Sequence, residues 1–166
     1  MGGRGGFSGI GGGGNTPQAM SKKGAYTAAD KAGFPTLSGS EKQVEWASNI
    51  RNNAMLEIDN YVRRTTIAGR NTMTGEVFYN ELTPELKTRV EAAVNIKSAL
   101  KEYFGSEASA STIIGGRGAL NQQSVKNMID GQVAVKQKTG NFLKSSDVAK
   151  ALNQNIQDLQ KLNLWK

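Results

Sequence analysis

Apolar residues recur at helical spacing along the first half of the chain, and the pattern predicts a long amphipathic helix over residues 40–64. Either Ser38 or Ser40 can cap its start, and Ser38 with Glu41 three residues later has the spacing of a capping box. Two arginines close the segment, where positive charge favours a helix C-terminus. The apolar face, with Trp46 beside it, consists of Val44, Ala47, Ile50, Ala54, Ile58, Tyr61 and Val62.

Three later segments have the same helical character. Thr83-Pro84-Glu85 is a typical helix start, and the helix that follows is predicted to end at Gly105. A short helix is predicted over 119–130, closed by Gly131, with an extended stretch at 133–135 after it. A last helix begins near Ser145 or Ser146, and its apolar side is Val148, Leu152, Ile156, Leu159 and Leu162.

The remaining segments predict turns, a short strand and an N-terminal arm. Residues 76–79, Glu-Val-Phe-Tyr, fit either one strand of a short β-hairpin or a packed loop. About half of the 20 glycines precede Pro35, and such a segment gains too little from burial to offset its backbone entropy. We therefore expect a mainly α fold of three to four bundled helices, with a disordered Gly-rich arm over 1–36 and a single helical domain over 37–166.

Two residue types that dominate enzyme chemistry do not occur in this chain. It has neither cysteine nor histidine among its 166 residues. Thiolate nucleophiles, zinc fingers, disulfides and imidazole bases are therefore excluded. A pair such as Glu41 and Glu45 fits a solvated helix face better than a metal site, so we expect no catalytic residue, no metal and no cofactor.

The charge of the chain favours a polyanionic partner. The formal net charge is +7, with a net +3 in residues 1–36 and about +5 from Arg117 onward. Such a field attracts nucleic acid or acidic proteins. The candidate binding residues are the basic side chains of the helical domain, Arg63, Arg64, Arg70, Arg117, Lys126, Lys136, Lys138 and Lys144.

Two glycine-containing segments are candidate binding elements. Gly115-Gly116-Arg117-Gly118 could approach a phosphate before a helix, with Arg117 holding it, but a turn that joins two helices explains the glycines better. Arg4 to Phe7 has the composition of one unit of the repeated arginine–glycine segments that contact RNA. Since the unit does not repeat here, a flexible linker or docking tail is the simpler interpretation.

Two stretches resemble small proteins of phages, prophages and conjugative elements, chiefly of Gram-positive bacteria. One is the leader Met-Gly-Gly-Arg-Gly-Gly at residues 1–6. The other is Leu37-Ser-Gly-Ser-Glu-Lys-Gln-Val-Glu-Trp-Ala-Ser-Asn-Ile-Arg51, which is similar to a recurrent helix opening of such proteins. The resemblance implies a mobile-element accessory protein in the bacterial cytoplasm. It implies no activity, and in the opening we expect Trp46 and Ile50 to face the core.

Three functional hypotheses follow. The first is a non-enzymatic binder of nucleic acid or of a host nucleoprotein such as a CRISPR nuclease, that is, a counter-defence inhibitor of the anti-CRISPR type. The second is a virion or assembly component whose arm threads between subunits. The third is a hydrolase or transferase that uses only Ser, Asp, Glu, Lys or Tyr. No membrane segment is expected because no apolar run approaches the roughly 20 residues that cross a bilayer, and the oligomeric state is left open.

Overall fold

The structure, a computed structural model, describes residues 33–163 and confirms a mainly helical fold with a small two-stranded sheet. The secondary structure elements, in chain order, are α1 (Glu41–Thr66), β1 (Ile67–Arg70), β2 (Val77–Tyr79), α2 (Pro84–Ser106), α3 (Ala110–Gly115), a 3₁₀ turn (Arg117–Ala119), α4 (Gln122–Thr139) and α5 (Ser145–Asn163).

Helix α1 begins at the second of its two possible caps. The Ser40 hydroxyl accepts the Gln43 N–H, and the Gln43 side chain accepts the Ser40 N–H at 3.0 Å, so the capping box is formed by Gln43 rather than Glu41. Ser38 instead pairs with the segment before α3: its N–H donates to Ala108 O at 2.7 Å and its carbonyl accepts from Ala110 N at 2.9 Å. The serine closer to the apolar stripe therefore caps the helix, and the earlier one anchors the chain to α3.

Of the two alternatives for residues 76–79, a strand or a packed loop, the structure shows the strand: β2 pairs with β1 in an antiparallel hairpin. The register joins Ile67 to Tyr79, Gly69 to Phe78 and Arg70 to Val77, with an irregularity between Ile67 and Gly69. Because β1 follows α1 without a break, the hairpin continues directly from the end of that helix.

Two predicted helix ends were wrong. The second helix does not stop at Gly105 but continues to Ser106. The helix predicted over 119–130 runs over 122–139, so residues 133–135 are helical rather than extended. A Cβ on Gly131 would meet nothing within 4 Å, so this glycine stands on an open helix surface. The helix ends instead at Gly140, whose φ of 85° lies in the left-handed region that favours glycine.

The segment 106–118 also contains helical structure that its sequence pattern did not predict. Ser109 caps the six-residue helix α3, whose Ala110 and Ile113 are buried, and the 3₁₀ turn follows. In such a short element the apolar residues are too few to show a periodicity, so burial against α1 and α5 decides the conformation.

The core lies where α1 and α2 meet the shorter helices. Helix α1 packs on α2, α3 and α4, while α2 also packs on α4 and α5. The largest fully buried side chains include Phe104, Met55, Ile58, Ile96 and Leu100.

Two residues of α1 lie on the opposite side from the prediction. Trp46, expected in the core, is 49% exposed, whereas Ile50 packs partly buried against the core. Asn52, which is not part of the predicted apolar face, is completely buried, and both polar atoms of its amide lack a hydrogen-bond partner among the described residues. Other helices cover α1 on several sides, so the buried part of its surface is wider than a single apolar stripe.

Part of the predicted arm is outside the described residues, and its last residues contact the core. Residues 1–32 are not described. The Phe34 ring lies 5.6 Å from that of Phe104, and the Arg51 guanidinium lies 5.3 Å from the Phe34 ring centre. Arg51 Nη1 also donates to Pro35 O at 3.0 Å. Residues 34 and 35 thus pack with the helices.

Candidate functional site

Arg64, near the end of α1, is held in place by a buried carboxylate of the same helix. Its Nη2 donates to Glu57 Oε2 at 2.7 Å, and the Glu57 side chain is only 6% exposed, whereas that of Arg64 is 54% exposed. Residues seven apart lie two turns apart on one helix face, so the geometry follows from their spacing. The buried carboxylate fixes the guanidinium and leaves about half of it open to a ligand.

Arg64 lines a first cleft, which we call the basic cleft, of about 540 Å³ between α1, α2 and α4. It is formed by the end of α1, the first turns of α2, the first half of α4 and the residue that follows β2. Three cations and one carboxylate are among its lining residues, Tyr61, Arg64, Thr65, Asn80, Leu86, Arg89, Lys126 and Asp130.

The other two cations of the basic cleft have weak intramolecular partners. Arg89 lies 3.6 Å from Glu85, and Lys126 lies 3.3 Å from Asp130, with all four side chains near half exposed or more. Ion pairs of this kind contribute only about 0–1 kcal/mol. Both cations can therefore turn to an external anion at small cost in stability.

Tyr61 contributes a neutral phenol to the basic cleft. Burial raises the pKa of Tyr61, and the nearby Asp130 carboxylate raises it further, while Arg89 and Arg64 lower it. Since the balance is upward from an ordinary value of 10.0, the phenol is protonated at neutral pH and can donate a hydrogen bond.

Arg64 also lines a second cleft, which we call the amide cleft, of about 760 Å³ between α1 and the start of α4. Its polar lining is rich in side-chain amides: Asn53, Asn60, Asn121 and Gln122. Arg117 completes it, held by a 2.8 Å hydrogen bond from Nη1 to Ile114 O and by the face of Trp46, 5.3 Å from its Cζ. The exposed position of Trp46 thus supports an arginine at the rim of this cleft.

The structure brings together three of the eight basic residues that the sequence suggested. Arg64 and Lys126 line the basic cleft, and Arg64 and Arg117 line the amide cleft. Arg89 was missed, because on the sequence it is one polar position of an amphipathic helix. Nothing local marks it as a neighbour of α1 and α4.

The other five candidates line neither cleft. Arg63 donates to Asn60 Oδ1 at 2.8 Å on the exposed side of α1, and Arg70 is exposed on the hairpin. Lys136 Nζ lies 5.2 Å from the Phe142 ring centre. Lys136 and Lys138 are about 15–18 Å along α4 from Lys126, at 1.5 Å per residue. The exposed Lys144 stands directly before α5.

The glycines of residues 115–118 are explained by helix packing. A Cβ on Gly116 would lie 2.5 Å from Ile156 Cγ2, and one on Gly115 would lie 2.9 Å from Gln160 Cγ. The missing side chains let α5 approach the end of α3. This agrees with the interpretation of the segment as a junction between helices.

Within residues 33–163, two other classes of site are absent. No cluster of three or more acidic residues there could hold a metal ion. None of the described helices is both long and apolar enough to cross a bilayer.

Comparisons of the chain with protein-family models, with curated proteins and with solved structures find no match.

Proposed function

We propose that this protein is a non-enzymatic nucleic-acid-binding protein that holds the phosphate backbone in the two clefts sharing Arg64. The observation that carries the proposal is this shared residue. It lines the basic cleft together with Arg89 and Lys126 and the amide cleft together with Arg117, so four cations from three helices and one turn line the two clefts.

The lining residues suit a phosphate-containing ligand. The four cations are opposed by two carboxylates, Glu57 and Asp130, which leaves the lining positive. Guanidinium groups bind phosphate oxygens in a bidentate manner, and three of the four cations are arginines. Side-chain amides add neutral donors, which commonly bind phosphate and sugar oxygens and fix the register of a bound strand.

The biological setting is a separate proposal that rests on the sequence. The leader and the opening of α1 resemble small phage and mobile-element proteins. On that basis we propose a role on a host nucleoprotein, of the counter-defence type directed at CRISPR nucleases, in the bacterial cytoplasm. The basic and amide clefts support such a role as far as it requires contact with guide or target nucleic acid.

The test is a pair of charge-matched double variants. Arg89→Gln with Lys126→Gln removes two cations from the basic cleft. Lys101→Gln with Lys150→Gln removes the same charge from exposed positions that line neither cleft. Arg64 is left intact, because its loss would strand the buried Glu57 carboxylate and confuse binding with stability.

The measurement is fluorescence anisotropy of labelled oligonucleotides between about 50 and 200 mM salt. We expect the cleft variant to bind about 10-fold more weakly and its slope of log K against log salt to be smaller by about 1–2, as for the loss of one or two phosphate contacts. The Lys101/Lys150 variant should keep the wild-type slope. Equal losses in the two variants, with unchanged far-UV circular dichroism, would refute a localised site.

A further inference from the structure

The β-hairpin stands at the edge of the basic cleft. Asn80, directly after β2, donates its N–H to Thr66 O at 2.7 Å and its side-chain amide to Thr65 O at 2.9 Å. Asn80 and Thr65 both line the basic cleft. These two hydrogen bonds therefore fix Tyr79, the preceding residue, beside the cleft.

The hairpin exposes two aromatic rings, and one of them belongs to Tyr79, directly before the cleft residue Asn80. Tyr79 is 70% exposed and Phe78 is 47% exposed. Phe78 is paired with Gly69, which has no side chain to cover the ring. Large exposed aromatic residues are unusual on a surface that serves only solubility, and here two are adjacent in sequence.

The strand irregularity determines which cation shares a face with Tyr79. Paired residues of an antiparallel ladder lie on the same face, so Tyr79 with Ile67 and Val77 with Arg70 are on one face, and Phe78 is on the other. Without the extra residue Ala68, the register would shift by one, and Arg70 would lie on the opposite face. The bulge thus places the exposed Arg70 on the face of the hairpin that carries Tyr79.

From this arrangement we propose that the protein binds single-stranded nucleic acid, with Tyr79 stacking on an unpaired base while the basic cleft holds the adjacent phosphates, and with Phe78, on the other face of the hairpin, open to a second base. The proposal rests on the proposed function and names its substrate class. In a duplex the base faces are covered by their neighbours, so exposed rings beside a phosphate site favour a single strand. Arg70, on the face of Tyr79, can stack on a base or bind a phosphate.

Two carboxylates near the hairpin repel the phosphates of a bound nucleic-acid strand. Glu76 and Glu81, both exposed, lie on either side of β2 in the chain. Their repulsion of phosphate makes stacking, rather than charge alone, the main attraction at the hairpin itself. Stacking therefore has to be tested with the number of phosphates held constant.

The experiment compares oligothymidylate with an abasic strand of the same length, which has the same phosphates but no bases. The variant is Phe78→Leu with Tyr79→Leu, which keeps apolar side chains and removes both aromatic planes. Met73→Leu, at a fully exposed position in the turn of the same hairpin, is the matched control. Oligothymidylate should bind wild-type protein about 10-fold or more tightly than the abasic strand, and the double variant should lose this preference.

The outcomes separate this inference from the function on which it rests. Equal wild-type affinity for the two strands, or a double variant that keeps the preference, would overturn the stacking proposal. The cleft would still be a phosphate site if Arg89→Gln with Lys126→Gln weakened binding. Tighter binding of a duplex would likewise overturn the single-strand proposal, and failure to bind any of the three probes would overturn both.

Discussion

At the scale of single residues, burial of polar groups distinguishes this core. Gln132 is buried but fully used: its side chain donates to Asn95 Oδ1 at 2.8 Å and to Leu143 O at 3.1 Å, and it accepts from Leu143 N at 3.1 Å. The Asn52 amide and the Tyr103 hydroxyl, in contrast, have no hydrogen-bond partner among the described residues. Sequence alone could not separate these cases, because only the surrounding helices supply or withhold a hydrogen-bond partner.

Tyr103 makes stability depend on pH in the alkaline range. Burial raises the pKa of its phenol far above the ordinary 10.0, and the Glu107 carboxylate raises it further. The unfolded chain then releases this proton at a lower pH than the native state, so stability is complete below about pH 10 and falls as the pH rises beyond it. Tyr103→Phe should reduce this fall and should be neutral or stabilising by up to about 1 kcal/mol at pH 7, because it removes an unpaired buried hydroxyl.

Urea unfolding of the two proteins at neutral and alkaline pH measures this effect. Tyr61, whose pKa is also raised, remains in the variant, so the pH dependence should diminish rather than disappear. Parallel curves for wild type and Tyr103→Phe would contradict the assignment.

At the scale of elements, caps were predictable where a cap is a local device. Thr83 with Pro84 starts α2 as its sequence indicates. The cap of α4, Asn121, was not recognised, and that helix was predicted to begin at residue 119. Glycine was a less reliable signal, because the same residue can end a helix, as Gly140 does, or lie within one, as Gly131 does. The difference depends on the backbone angle and on the neighbouring chain, which the residue type does not specify.

Substitution of Gly116 tests whether the junction between α3 and α4 is determined by packing. Gly116→Ala places a methyl group against Ile156 and should lower the free energy of unfolding by about 1–3 kcal/mol, as overpacked sites do. Gly118→Ala is the matched control, since the nearest atom to its added Cβ is 4.0 Å away. Its effect should stay within about 0.5 kcal/mol.

Thermal unfolding of both variants measures these changes in the free energy of unfolding. If the two substitutions lower the free energy of unfolding equally, close approach of α5 is not the reason for glycine at position 116.

At the scale of the whole molecule, the start of the packed domain can be located. The sequence placed the boundary between arm and domain at residue 36. Phe34 and Pro35 nevertheless contact Phe104 and Arg51, and Leu37 is buried. An apolar residue within a glycine-rich segment gave no indication of whether it would dock on the core, because docking depends on a partner surface far along the chain.

Two truncations locate this boundary. Removing residues 1–32 should leave the melting temperature close to that of the full chain, as expected for an arm that adds little to the core. Removing residues 1–36 deletes Phe34 as well and should lower stability by about 1–3 kcal/mol, the usual range for loss of packed apolar contacts. Calorimetry of the two truncated proteins measures the difference, and equal melting temperatures would show that Phe34 adds nothing.

The sequence by itself determined the mainly helical class, the starts of the long helices and the positive charge of the chain, because periodicity, capping and charge are local properties. Tertiary structure alone decided which cations act together. Arg64, Arg89, Lys126 and Arg117 come from separate segments, and only the packing of α1, α2 and α4 places them around the clefts. The hairpin register likewise decided that Arg70 shares a face with Tyr79, since one extra residue in a strand reverses the side on which the next side chain lies.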